Sequence, residues 1–283
     1  MKDTTKTLCD LPLITDNDKK FLRKYVYLKI EDGLYKMNLI NEKSINQKDL
    51  KTLYITKSYP TDQVMDTFVE LFNIRDNIYG KNKNFFHGGI AASCLSRTQR
   101  EHCINEEIIE SILVIMPYPP GKNLFDYDQV FIPLHDSFPI EHWTLGVIDI
   151  KNKKIYHYNS APHEENDREH LLTLSLYVKT VLNTMSNQSL KDVMKVDTWP
   201  TIASDINIDH GPIPEQDMTH PDCLLFVVLF MEALAYDHNF NHISQDLIIS
   251  EMLRSRTTNL ILAYDSKYWH KVIVEDIGTY QYT

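Results

Sequence analysis

The sequence predicts an α+β fold: a central mixed sheet flanked by helices, with a cysteine opening a buried helix. Three observations lead there. Strand-like apolar runs, Gln129 to His135 and Trp143 to Ile150, lie between segments with helical spacing. Residues 154–158 follow the second run closely enough to pair with it as a hairpin. The stretch HPDCLLFVVLFMEAL, His220 to Leu234, sets Cys223 at the edge of one of the most apolar runs in the chain. Strands interleaved with helices that share a core describe a layered α+β domain.

Taken in order, Tyr25 to Ile30, Asp32-Gly33 and Leu34 to Leu39 read as a hairpin around a DG turn. Val64, Phe68, Leu71 and Phe72 recur at helical spacing behind Asp62, a suitable cap. The run NKNFFHGGIAAS, 82–93, reads as a loop and a boundary, which divides the chain into 1–98, 99–265 and a tail, 266–283. Ile104 to Ile115 is helical, with Asn105 near its start. Both long strands are apolar enough to lie inside a sheet, and Asn152-Lys153 makes the turn into Lys154 to Tyr158. Leu171, Leu174, Leu176, Val178 and Val181 give the helix Glu169 to Leu182 one broad apolar face. Residues 197–222, rich in Pro, Asp and Asn, form an ordered loop before the Cys223 helix. A last helix spans Gln245 to Leu262 behind a Ser244 cap.

Composition excludes several function classes. The 283 residues, 43% hydrophobic, suffice for a substantial core. A net charge of -10 and the lack of a basic stripe argue against nucleic acid. No apolar run reaches the length of a membrane span, and the N-terminus lacks the pattern of a secretory signal. Cysteines 9, 94, 103 and 223 show no CxxC spacing, which points to free thiols in a reducing, intracellular compartment. Glycine is scarce, 8 in all, and no glycine-rich phosphate loop exists. The charged segment from His163 through Asp167 to His170 reads as a solvated helix start, and His238 and His242 lack a supporting carboxylate. Neither metal nor cofactor is expected, and the chain is taken to be a monomer.

Cys223 is a packing residue or a nucleophile. A helix beginning there places its sulfur in the first turn, where free N–H groups and the helix dipole favour a thiolate. A nucleophile also needs a base and a group to orient it. His142 begins an apolar strand, and Asn159 ends the next, 159 − 142 = 17 residues on. Antiparallel pairing brings those ends together, so the Asn159 amide oxygen can accept a ring N–H and fix the tautomer. Each residue alone has an ordinary structural reading.

The ordered set His142-Trp143, Asn159, Gln216 and Asp222-Cys223 resembles the Ulp/SENP-type cysteine proteases, clan CE, some of whose members are bacterial effector deubiquitinases. CINEEIIESIL, 103–113, is similar to a helix start of that family, with Cys103 where tryptophan is usual; VFIPLH, 130–135, matches the strand before the histidine. Trp199, Arg254 and Arg256 sit where members carry similar features, and the likeness covers about 100–265. The resemblance implies a papain-like, Ulp-type fold and a cysteine isopeptidase acting after the Gly-Gly tail of ubiquitin or a ubiquitin-like protein. Cys223 would attack, His142 would serve as base, Asn159 would orient it, and Gln216 would stabilise the oxyanion. Trp143 would wall a narrow tunnel, and Asn105, Glu106 and Asp222 would meet substrate. The N-terminal 98 residues would recognise the modifier.

Three departures stand out: Asn159 in place of an acid, Gln216 at 223 − 216 = 7 residues from the cysteine, one more than usual, and Leu224 in place of glycine. The acidic balance favours ubiquitin, with its basic face and tail, over the more acidic SUMO, and a SUMO or NEDD8 protease is the alternative. Composition suits the effector of an intracellular bacterium, which would act in host cytosol, or a protist protein. Two other functions fit the same residues: acetyl transfer from coenzyme A, and a binding module weakened by Asn159 and Leu224. If Asn159 only orients His142, Asn159→Asp is expected to retain or raise activity.

Overall fold

The structure, a computed structural model, describes residues 36–38, 44–54, 57–77, 83–88, 118–136, 141–161, 164–184, 213–235, 240 and 250–263. Its central sheet has four strands in the order β3-β4-β5-β6. They are β3 (Asn84–Phe86), β4 (Gln129–Asp136), β5 (His142–Asp149) and β6 (Lys154–Tyr158). β3 runs parallel to β4, and the other pairs are antiparallel, so the sheet is mixed. A separate small pair joins β1 (Lys36–Asn38) to β2 (Ser44–Asn46). Five α-helices, α1 (Gln47–Tyr54), α2 (Asp62–Arg75), α3 (Glu164–Thr184), α4 (Cys223–Ala235) and α5 (Ser250–Ala263), and a short 3-10 helix (Leu124–Asp126) accompany the strands among the described residues.

Alternation along the strands sends side chains into two cores. Phe131 of β4 and Trp143, Leu145 and Val147 of β5 pack with α4 and with Val64, Phe68 and Phe72 of α2. Val130, Ile132 and Leu134 of β4, with Ile148 and Ile155, pack against Leu171, Leu174, Tyr177 and Val178 of α3. Residues 223–233 of α4 are all buried, as expected of a helix that is apolar all round. Helix α3 approaches the sheet closely at Gly146, where a Cβ would lie 2.6 Å from Leu174 Cδ1.

Several local expectations change. The loop expected over 82–93 contains β3, whose Phe86 is buried and stacks on Phe131 at 4.7 Å. Thr61, not Asp62, is the N-cap of α2, and its hydroxyl donates to Asp49 Oδ1 instead of capping. Leu176 is exposed, and Tyr177 takes the buried position on α3. Asp167 and His170, expected in a solvated helix start, are buried. In the turn after β5, Lys153 has a φ of 54°, while Asn152 N and Nδ2 donate to the Asp149 carboxylate. The strand expected at 25–30, the helix at 104–115 and the tail lie outside the described residues.

Candidate active site

The antiparallel register sets the site at one end of the sheet. His142 opens β5 opposite Asp136, the last residue of β4. β6 ends at Tyr158, so Asn159 leaves the sheet beside the start of β5. There His142 Nε2 donates to Asn159 Oδ1 at 2.7 Å, which leaves Nδ1 as the unprotonated ring nitrogen. Asn159 Oδ1 also accepts from Ala161 N at 2.9 Å. Its Nδ2 donates to Asp167 Oδ1 at 2.8 Å.

Cys223 is the first residue of α4 and lies 3% exposed. Burial pushes its thiol up to about 11, and the backbone N–H groups of Trp143 and Leu224, aimed at the sulfur, offset that only in part. The resting sulfur is therefore a thiol, not the thiolate that a helix start alone would favour. Removal from water outweighs the two N–H dipoles. Burial also lowers the His142 pKa, against the opposing pull of the Asn159 hydrogen bond and the Asp136 and Asp167 carboxylates. Burial thus disfavours the charged form of both the Cys223 thiol and the His142 imidazole.

The "Ulp1 protease family, C-terminal catalytic domain" model matches residues 99–260, more than half of the chain. The chain belongs to the Ulp1 protease family. Solved structures agree in fold. The C-terminal Ulp1 protease domain in complex with Smt3, the yeast ortholog of SUMO, has 18% identity and a TM-score of 0.62, over 89% of this chain and 96% of that one. The Chaetomium thermophilum Ulp1-like SUMO protease catalytic domain has 15% identity and a TM-score of 0.60, over 89% and 91%. No curated protein matches the chain. The α+β fold expected from the residues, and its Ulp-type form implied by the resemblance, is the fold found.

Within this Ulp1-type site, Gln216 is held by Ser160. Ser160 Oγ donates to Gln216 Oε1 at 3.0 Å, and Gln216 N donates to Ser160 O at 3.0 Å. The Gln216 Nε2 faces only the weak acceptor Met218 Sδ, at 3.6 Å, among the described residues. Trp143, expected as a tunnel wall, is 1% exposed and stacks on His135 at 4.3 Å. Asp222, expected at the substrate, is buried and accepts from Arg254 Nε at 2.7 Å. Asn105 and Glu106 lie outside the described residues.

Three contacts around the candidate site were not legible in the sequence: Ser160 with Gln216, Asp167 with Asn159, and Arg254 with Asp222. Adjacency of Ser160 to Asn159 was the one available hint. Behind the site, ligand atoms of His157, Asp167 and His170 lie within 4.8 Å of one another, a donor set that can accept a divalent cation. Asp167 Oδ1 is already hydrogen-bonded to Asn159, and His170 Nε2 lies 3.2 Å from Asp136 Oδ2. No helix among the described residues is long and apolar enough to cross a membrane.

Proposed function

We propose that the protein is a cysteine isopeptidase that cleaves after the C-terminal tail of a ubiquitin-like modifier, with Cys223 as nucleophile. The observation that carries this reading is the joint geometry of two elements. His142 Nε2 is tied to Asn159 at 2.7 Å, and the next backbone N–H on the strand, that of Trp143, points at the Cys223 sulfur. His142 Nδ1 takes the thiol proton as Sγ attacks the carbonyl carbon, giving a tetrahedral oxyanion. Gln216 Nε2 and the N–H groups at the helix start supply donors to that oxygen. Collapse breaks the C–N bond, and His142 returns the proton to the leaving amine. Water, deprotonated by His142, then attacks the thioester, releasing the modifier's carboxylate and the free thiol.

The net charge of -10 favours ubiquitin as the modifier, since the tail of ubiquitin is basic. The solved neighbours include SUMO proteases, which favours SUMO. Ubiquitin, SUMO and NEDD8 probes carrying a C-terminal thiol-reactive group, applied in parallel, decide between them. The expected result is a covalent adduct with one probe, abolished in Cys223→Ala and in His142→Ala. Tight binding without an adduct would make the chain a binding module; acetyl-CoA-dependent labelling of substrate would make it a transferase.

A further inference from the structure

Asp167 is a buried carboxylate aimed at the back of the catalytic asparagine. It lies on α3, 2% exposed, and accepts from Asn159 Nδ2 at 2.8 Å. His157 Nδ1 of β6 lies 3.3 Å from the same oxygen. Around this pair stand Asp136 at the end of β4, His142 at the start of β5, and His170 of α3, whose Nε2 lies 3.2 Å from Asp136 Oδ2. A carboxylate removed from water needs hydrogen bonds or opposite charge to remain ionised, and the Asn159 amide supplies a hydrogen bond.

The hydrogen bond has a direct consequence for the base. An asparagine amide can sit either way round. Here Oδ1 meets two donors, His142 Nε2 and Ala161 N, while Nδ2 meets a carboxylate. Loss of that acceptor leaves the Ala161 N–H as the remaining restraint shown on the amide, and an amide turned over would present N–H to Nε2. The imidazole would then carry its proton on Nδ1, the nitrogen that must accept from Cys223. A negative charge one hydrogen bond beyond His142 also stabilises the imidazolium formed during reaction.

We propose that Asp167 is a positioning residue of the catalytic centre: it orients the Asn159 amide and supplies, through it, the negative charge that an acid at 159 would supply directly. The inference rests on Cys223 and His142 being the nucleophile and base. It also revises the expectation for Asn159→Asp. A carboxylate at 159 would face Asp167 across 2.8 Å, and two such groups in a buried site share one proton.

The test is a charge swap, read with ubiquitin- and SUMO-aminomethylcoumarin, whichever the wild type hydrolyses, across pH 5.5–9. Asp167→Asn is expected to lower kcat by about 10- to 100-fold with little change in KM, the scale seen when an outer partner that orients an imidazole is lost. Its acid limb moves to lower pH, because His142 loses a stabilising anion. Asn159→Asp alone works while the shared proton is held and loses activity as pH rises and that proton leaves. The double variant Asn159→Asp/Asp167→Asn recovers to within about threefold of wild type and lacks this alkaline loss, since one carboxylate again serves the histidine. A double variant as slow as Asp167→Asn, with a wild-type melting temperature, overturns the proposal. So does an Asp167→Asn variant with wild-type kcat and acid limb, or a wild type inactivated by EDTA and restored by zinc. Cys223→Ala retaining activity would instead overturn the underlying reading.

Discussion

Gln216 shows how a single half-buried side chain can be prepared for a reaction. Its amide oxygen is taken by Ser160 Oγ and its backbone N–H by Ser160 O, so the amide nitrogen is the part left for an incoming group. If Gln216 donates to the oxyanion, the Ser160 hydroxyl acts only through it. A neutral hydrogen bond of this kind contributes about 1 kcal/mol, so Ser160→Ala should lower kcat by roughly fivefold and leave KM nearly unchanged. Gln216→Ala removes the donor itself, with an expected loss of about 100-fold or more. Steady-state kinetics of both variants, and of the double, check this. A Ser160→Ala variant that raises KM at unchanged kcat would place Gln216 in ground-state binding instead.

At the scale of elements, the helix that Cys223 opens is held by a neighbour distant in sequence. Arg254 of α5 is fully buried and donates to Asp222 Oδ1, to Thr52 O and Leu53 O at the end of α1, and to Ser58 O and Pro221 O. It thereby joins α1, α5 and the two residues leading into Cys223. Arg254→Met removes the cation and strands Asp222 in the interior, so it should destabilise by about 3–5 kcal/mol, measured by urea unfolding with an unchanged m-value. A cost below about 1 kcal/mol would mean that the pair is dispensable. This staple also shows what the sequence can and cannot disclose. The strands β4, β5 and β6 and helix α4 were legible because their apolar patterns are long and strong, and the pairing of His142 with Asn159 followed from hairpin geometry. Strand β3 was not, since three residues between polar, glycine-bearing flanks carry no usable period. Asp167, Ser160 and the pairing of Arg254 with Asp222 escaped for another reason: a polar residue's partner is set by tertiary packing, and an Asp in a charged helix start reads as solvated until the fold covers it.

At the scale of the whole molecule, one buried histidine bears on stability and not on the proposed chemistry. His87 follows β3 and is buried between aromatic rings, its Nε2 3.1 Å from Tyr118 Oη, which in turn lies 3.0 Å from Tyr177 Oη. Burial lowers its pKa from 6.5 to about 3. Above pH 6.5 the folded and unfolded chains both hold this ring neutral, and it adds no pH dependence. Below that value the unfolded chain binds a proton that the folded chain refuses, so stability falls by about 1.4 kcal/mol per pH unit from this group until pH 3 is approached. Other titrating groups contribute alike to wild type and to His87→Phe, which keeps the ring volume and loses the proton site. At pH 7.5 the variant should be the less stable, by roughly 1 kcal/mol for the lost Tyr118 bond. The difference should close and then reverse as pH drops toward 5, followed by urea unfolding at half-unit steps. A stability gap that stays constant from pH 7.5 to 5 would show that His87 titrates equally in both states, and that acid lability of the fold arises elsewhere.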